Sequence, residues 1–442
     1  MGGLRFSIHH HLVAWPNVSA DLSLGTGGRS VAVLGAGMVG VSCALALQQR
    51  GLPVVLVDRQ APGQGTSYGN AGVFATSSVI PFNHPQIWRS LPRLLGNRSA
   101  QFRYRLPVLL RRLPWLARFL WHARPAAFQE TARALHALIG LSIGQHKTWM
   151  QQAGVYHRLR AQGWLVLHRQ PAPASTTAWS RSIFDQLGIS YECLGAAEIK
   201  DLEPALRPIF SHGLWLKDSA SVDDPAAVVQ AYANLFAARG GQVLRHSALS
   251  VSKSSGTWKI DLSAHDVLNV TDVVVALGPW SASFLLQHLN LRVPLAYERG
   301  YHQHFSLLGA HALSRPFYDA AGAYVASPMD QGLRLSSGVE FNDLDAGPQI
   351  EQWQQAESAA REAMELGPAQ EPARWLGSRP SLPDSRPMIG ESRRHPRLWM
   401  AFGHQHIGLS TGAGTGEVLA DLVCGRMPSI SAKPFCPSRF YV

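Results

Sequence analysis

Gly35, Gly37 and Gly40 stand at G-x-G-x-x-G spacing, and an acid, Asp58, follows them. In such a loop the first glycine permits a tight turn and the second lets a pyrophosphate approach the backbone. The third lets a helix pack closely on a strand, and the helix N-terminus receives the negative charge. Met38 and Val39 complete the loop, and Asp58 is placed to accept hydrogen bonds from ribose hydroxyls, with Arg59 beside it. This is the chemistry of a dinucleotide site. The loop alone does not separate FAD from NAD.

The flanking elements agree with that reading. Residues 30–34 form a short β-branched apolar run, the mark of a buried parallel strand. Residues 38–50 have helical spacing and end at Gly51, and residues 54–57 read as a second buried strand, so the segment forms one βαβ unit. Residues 64–75 form a loop dense in Gly, Ser, Thr and Asn, and 85–161 is helical, basic and broken by prolines. Strands are expected at 163–168 and 190–192, with a stretch bearing proline and serine between them. A helix at 226–239 is followed by strands at 243–246, 249–252, 258–262 and 270–277. Strand-like segments continue over 295–305 and 324–338, a polar helix covers 345–365, and a strand at 398–402 precedes a glycine-rich approach to a final helix.

Four further segments resemble the D-amino-acid oxidase superfamily, especially its bacterial D-amino-acid dehydrogenase branch. Residues 63–72, GQGTSYGNAG, resemble that family's flavin-contacting segment, and residues 276–281, ALGPWS, its A-x-G-x-W-S motif. Residues 377–390, GSRPSLPDSRPMIG, resemble G-x-R-P-x-x-P-D-x-x-P-x-I-G, and residues 403–409, GHQHIGL, resemble G-H-x-x-x-G. The segments occur in the family's order and, with the glycine loop, span residues 30–424. The resemblance implies FAD as cofactor. It also implies an α/β fold: a Rossmann-like FAD-binding domain with a discontinuous α+β substrate domain containing a mostly antiparallel sheet. On that pattern 29–85, 205–294 and 376–442 form the FAD-binding domain, 86–204 and 295–375 the substrate domain, and 1–28 an extension outside the fold.

Two positions depart from the usual pattern. Asp58 replaces a glutamate but should still reach a ribose hydroxyl, and His406 occupies a variable position, so substrate choice can differ within the family. Thr66, Ser67, Asn70, Ala71 and Gly72 are the candidate flavin contacts of the first segment, because side-chain hydroxyls, amides and backbone N–H groups can tune a flavin. An ordinary surface loop is the plainer reading of the same composition. Leu249, Gly278 and Trp280 are further cofactor candidates, as are Gly403, His404, Gly408, Leu409 and Ser410. Gly408, Gly412, Gly414 and Gly416 approach a helix start expected at 415–417, whose N-terminus would stabilise negative charge on a reduced flavin; close helix packing is the alternative.

Oxidising an amino acid calls for an α-carboxylate anchor, and arginine's planar fork suits it. Arg379 is the first choice, matching by resemblance the family's carboxylate-binding arginine. Arg299 is the second, on a strand expected to roof the flavin. Tyr318, Tyr324 and His404 are candidate lining residues, although buried tyrosine and histidine are more often satisfied core groups. The reaction implied is hydride transfer from substrate Cα to flavin N5. It gives an imino acid that hydrolyses to a 2-oxo acid.

Composition sets the remaining bounds. The 442 residues are 46% hydrophobic and 16% charged, which suits a globular chain. Cys43, Cys193, Cys424 and Cys436 show no C-x-x-C pair, so no zinc site, no disulfide framework and a cytoplasmic setting are expected. No metal-ligand cluster is evident, no apolar run is long enough to span a bilayer, and residues 1–28 do not read as a secretory signal. The net charge of +11 is concentrated in residues 88–122, where arginines alternate with Leu, Trp and Phe. Contact with the inner face of an anionic membrane, where electrons could pass to a quinone, and a solvated helical lid are both open readings. No recognition motif supports nucleic-acid binding. The leading function is a dehydrogenase of a D-amino acid or a cyclic imino acid such as D-hydroxyproline or D-proline. The alternatives are a glycine- or sarcosine-type oxidase using oxygen, and a flavin-binding relative without catalysis.

Overall fold

The computed structural model describes residues 22–23, 28–170, 174–254 and 256–442. Among them, the apolar runs found in the sequence assemble into a six-stranded sheet ordered Gln242–Leu244, Val54–Val57, Val31–Leu34, Asp272–Val275, Leu398–Phe402 and Met388–Glu391. Its strands pair in parallel except the last, which is antiparallel to Leu398–Phe402. The central strands are apolar throughout because both faces are covered. One face packs under the helices Met38–Gln49, Pro125–Gln152, Pro225–Ala238 and Gly408–Val423, with Val33, Leu45, Trp149, Tyr232 and Leu419 in one core. The other face packs on a smaller antiparallel sheet through Leu34, Val55, Trp258 and Ile260.

An eleven-stranded, mostly antiparallel sheet forms the second body. Its long central strand, Ala296–Leu307, pairs with Gly332–Ser337 and Val339–Phe341 on one side and with Trp375–Ser381 on the other. Side chains alternate between the two faces of a strand. One face of this sheet packs through Phe305, Phe317, Tyr324 and Leu335 on Trp353 and Ala360 of the helix Ile350–Ala363. Glu298, Gly300 and His302 stand on the opposite face, which roofs a cavity above the six-stranded sheet. The protein is therefore an α/β fold, with a Rossmann-like sheet joined to an α+β body.

Several sequence expectations change. Leu22–Ser23 pairs in parallel with Val267–Val270, so part of the expected 1–28 extension joins the small sheet; residues 1–21 and 24–27 lie outside the described residues. The strands His212–Leu216 and Trp375–Ser381 belong to the large sheet rather than with the dinucleotide-binding segments, and the helix Pro125–Gln152 packs in the core of the six-stranded sheet. Sheet membership is fixed by distant pairing partners that local pattern cannot specify. The apolar run 270–277 breaks at Thr271: Val270 ends a strand of the small sheet, and Asp272 begins one of the parallel strands. The stretch between the strands near 163 and 190 contains the helix Ala174–Leu187, and the second of those strands is Glu192–Gly195.

Buried carboxylates tie the frame together. Asp272, at the head of a central strand, accepts hydrogen bonds from Arg29 Nη2 (2.7 Å), Trp399 Nε1 (2.8 Å) and Thr271 Oγ1 (2.7 Å). Asp384 accepts from Arg386 Nε (3.1 Å) and Arg439 Nε (2.6 Å), which explains the acid of the segment 377–390 as an anchor for the C-terminal turn.

Candidate active site

The cavity under the roof has a volume of about 1360 Å³ and runs from Asp58 to Arg379. At its first end two glycines of the loop, Gly35 and Gly40, leave no room for a side chain. Gly35 has φ +108°, and a Cβ there would lie 2.4 Å from Ala276 O; a Cβ on Gly40 would lie 1.7 Å from Gly35 O. Asp58 is clasped against this loop: Oδ2 accepts from Ala36 N (2.7 Å) and Oδ1 from Gln60 N (2.9 Å). A carboxylate oxygen accepts more than one hydrogen bond, so Asp58 keeps capacity for ribose hydroxyls. Arg59 lies 4.7 Å over the Trp280 ring, and both line the cavity with Leu249 and Gly278.

Deeper in, the segment 63–72 folds over the N-terminus of the first helix. Ser67 Oγ accepts from Met38 N (2.9 Å), Thr66 Oγ1 donates to Ser378 O (3.2 Å), and Asn70 Oδ1 accepts from Gly72 N (2.8 Å). Arg334, 3% exposed, donates to the carbonyls of Tyr68 (2.8 Å) and Asn70 (2.6 Å), so the segment is held from the roof side. Met38, Val39, Ala71, Gly408, Leu409 and Ser410 also line the cavity. Three of the expected contacts do not. Gly40, Gly72 and Gly403 are packing positions: a Cβ on Gly72 would lie 2.4 Å from Val222 O, and one on Gly403 2.5 Å from Leu382 Cδ1.

The last helix starts at Gly408, not at 415–417. Gly412, Gly414 and Gly416 lie inside it and make close backbone contacts: added Cβ atoms would lie 2.7 Å from Met38 Cγ, 2.7 Å from Leu138 O and 2.5 Å from Ser42 O. Close packing is their role, while the positive end of the helix, at Gly408–Ser410, faces the cavity.

At the far end Arg379 projects under the roof. Its guanidinium donates to Ser337 O and Gly338 O, each at 3.3 Å, and covers Gly300, where a Cβ would lie 2.4 Å from Nη2. Among the described residues no carboxylate stands within 4.0 Å of it. Burial lowers its pKa, and Glu298 pulls the other way. His404 also lines the cavity, its Nε2 2.9 Å from Thr415 Oγ1, and burial holds its pKa down at about 3. His406 beside it is lowered to about 4 by burial and by Arg379, so both rings are neutral at neutral pH. Tyr318 lines the opposite wall, its pKa pushed up to about 12, mainly by burial.

One candidate falls on the wrong face, and a second only borders the cavity. Arg299, 1% exposed, donates to Asp343 O and lies 3.6 Å from Glu340 on the side away from the cavity, because it alternates with Glu298 and Gly300 along one strand. Tyr324 borders the cavity, but its ring packs on Phe317 (5.8 Å) in the core between the large sheet and the helix Ile350–Ala363. The sequence reading passed over Glu298, Trp375 and Gln405, all of which line the cavity. It also missed how far the basic stretch reaches in: Leu94, Phe102, Leu113, Trp115 and Phe119 form an apolar wall of the same space.

A family model described as FAD dependent oxidoreductase matches residues 30–422. The chain belongs to that family. It is 33% identical to a D-amino-acid oxidase of Bradyrhizobium diazoefficiens, across 93% of this chain and 99% of that protein. It is 27% identical to a D-amino acid dehydrogenase of Chromohalobacter salexigens, across 93% and 99%. Among solved structures, the fold is similar to glycine oxidase from Geobacillus kaustophilus, with TM-score 0.70, 19% identity and coverage of 93% of this chain and 98% of that one. It is also similar to L-proline dehydrogenase from P. horikoshii, with TM-score 0.69, 15% identity and coverage of 93% and 97%. The protein is an FAD-dependent oxidoreductase. The site fits that cofactor: an elongated cavity begins at a side-chain-free glycine cradle and a clasped acid, and two helix N-termini face it.

Proposed function

We propose that the protein oxidises the Cα–N bond of a D-amino acid or of a cyclic imino acid such as D-hydroxyproline or D-proline. The observation that carries the reading is Arg379: a guanidinium inside the cavity, steadied by two backbone carbonyls and left without a carboxylate partner among the described residues. Two N–H groups in a planar fork match an α-carboxylate. Bound FAD would supply the hydride acceptor. Arg379 fixes the substrate so that its Cα–H is aimed toward the cofactor, and positioning of this kind accounts for much of such a rate enhancement. The apolar wall from Leu94 to Phe119 excludes water, and after release the imino acid hydrolyses to a 2-oxo acid, with loss of ammonia from a primary amino acid and with ring opening from a cyclic one. The named sequence relatives favour the D-amino-acid reading over a glycine- or sarcosine-type oxidase, to which the similarity is one of fold. The Arg379→Ala variant tests it: amino-acid turnover should be lost while FAD is retained, and turnover left intact would end the reading.

The outer side of the segment 87–122 supports a second element of the proposal, electron transfer to a membrane quinone. Trp88, Leu106, Leu110 and Trp121 are each about half exposed, and Arg89, Arg93, Arg105, Arg111 and Arg118 stand exposed among them. This is the composition of an interfacial surface for anionic lipid. Among the described residues no helix is long and apolar enough to cross a membrane. Co-sedimentation with anionic vesicles that weakens in high salt supports the element; equal indifference to anionic and zwitterionic vesicles overturns it.

A further inference from the structure

Among the described residues, Glu298 is the one acid lining the Arg379 end of the cavity, and nothing so far uses it. It is 5% exposed, lines the cavity, and has an Oε2 without a hydrogen-bond partner. Such a buried, unsatisfied carboxylate oxygen is costly to keep and calls for a ligand. Glu298 and Arg379 are direct register partners on antiparallel strands, so their side chains leave the sheet on the same face about 5 Å apart. Yet they form no ion pair, because the Arg379 guanidinium turns along the strand to lie over Gly300. Among the described residues, the other titratable groups of this part of the cavity include His404 and His406, both neutral, and the tyrosines Tyr104, Tyr301, Tyr318 and Tyr324. A single cation and a single acid, kept apart in an otherwise uncharged space, complement a zwitterion. Gln405 adds a second sign of a missing polar ligand: it lines the same cavity with an unpartnered Nε2 and a strained φ of +49°.

We propose that Glu298 receives the substrate's α-ammonium group, accepting its N–H hydrogen bond and then its proton, while Arg379 holds the α-carboxylate. The inference rests on the amino-acid reading above. In the step, one N–H bond of the ammonium breaks and an O–H bond forms on the Glu298 carboxylate. No electrons are gained or lost. The products are a neutral amine, whose nitrogen lone pair can assist loss of hydride from Cα, and a neutral carboxylic acid. Burial raises the Glu298 pKa above the ordinary carboxylate range, against the pull of Ser381 and Arg379, so the carboxyl can keep the proton it takes. The arrangement lets the enzyme use the ammonium form that dominates at neutral pH.

The test compares wild type with Glu298→Gln and Glu298→Asp as FAD-loaded enzymes. With an amino acid that wild type oxidises, Glu298→Gln should lose about 10²-fold in kcat/KM at neutral pH and regain it as pH rises and the free amine appears. Glu298→Asp should recover part of the loss. A short aliphatic carboxylate without an amine, followed by its perturbation of the flavin spectrum, should bind Glu298→Gln at least as tightly as wild type, and FAD affinity should not change. A Glu298→Gln variant with the wild-type pH profile and KM overturns the proposal. So does an equal loss of FAD affinity and of carboxylate binding, which marks a structural role. A wild-type enzyme that oxidises no amino or imino acid would instead sink the reading on which the proposal stands.

Discussion

Gly300 is the position where a single methyl group should disable the proposed substrate anchor, Arg379, without touching the fold. An alanine Cβ there would lie 2.4 Å from Arg379 Nη2, 2.7 Å from Cζ and 3.0 Å from Nη1. Ordinary contact begins near 3.5 Å, so the guanidinium must retreat by about 1 Å. The backbone can stay, because what it meets is the far end of a flexible side chain and Gly300 lies in a regular strand. A displacement of about 1 Å in a positioning group costs on the order of 10²-fold in rate, or about 2.7 kcal/mol of transition-state stabilisation. Gly300→Ala should therefore lower kcat/KM about 10²-fold while FAD affinity stays at the wild-type value and Tm moves by only a few degrees. The assay is steady-state turnover beside a thermal melt and reconstitution of apoprotein with FAD. A Gly300→Ala enzyme with wild-type kcat/KM would refute the reasoning, since it would mean that the guanidinium can be pushed aside without consequence.

Other positions give sharper or coarser lesions. Asp58→Ala removes the carboxylate clasped to the glycine loop and should weaken FAD binding by about 10- to 10²-fold, read by titrating apoprotein with FAD. Gly416→Ala drives a Cβ to 2.5 Å from Ser42 O, a backbone atom that cannot swing away. It should cost about 1–3 kcal/mol of stability in urea unfolding. Asp272 and Asp384 are held below the ordinary carboxylate range, their arginine partners outweighing burial. A lowered folded pKa adds stability above the unfolded value near 3.9 that is lost as pH falls through the folded value. Stability should therefore be level near neutrality and fall on acidification below about pH 4. Asp272→Asn should lose about 2–3 kcal/mol at pH 7 and show a shallower acid decline, checked by urea midpoints across pH.

Chemistry carried by short contiguous segments was readable from the chain, and chemistry assembled by pairing was not. The glycine loop, Asp58 and the segment 63–72 lie together in sequence, and the structure places them around one cavity. Arg379 and Arg299 looked alike in sequence because both are arginines beside expected strands. Only the register of Ala296–Leu307 against Trp375–Ser381 reveals that 298 and 379 share a face while 299 points to Glu340. The same parity hid Glu298 one residue from a named candidate. The glycines from 408 to 416 suggested an approach to a helix because glycine is a poor helix former. Contact with Met38, Leu138 and Ser42 overrides that preference. The basic stretch could not be resolved from sequence because it is two-sided: Trp115 and Phe119 face inward to the cavity, while Trp88 and Trp121 face out.

The most direct test of the central claim is anaerobic mixing of the purified yellow protein with a panel of D-amino acids, L-amino acids and cyclic imino acids, following bleaching of the flavin. Readmitted oxygen and then a quinone analogue identify the acceptor by which colour returns. The account predicts that at least one D-amino acid or cyclic imino acid bleaches the flavin rapidly in wild type and fails to do so in Arg379→Ala. A flavin that no member of the panel reduces, or that Arg379→Ala lets them reduce equally well, would contradict it.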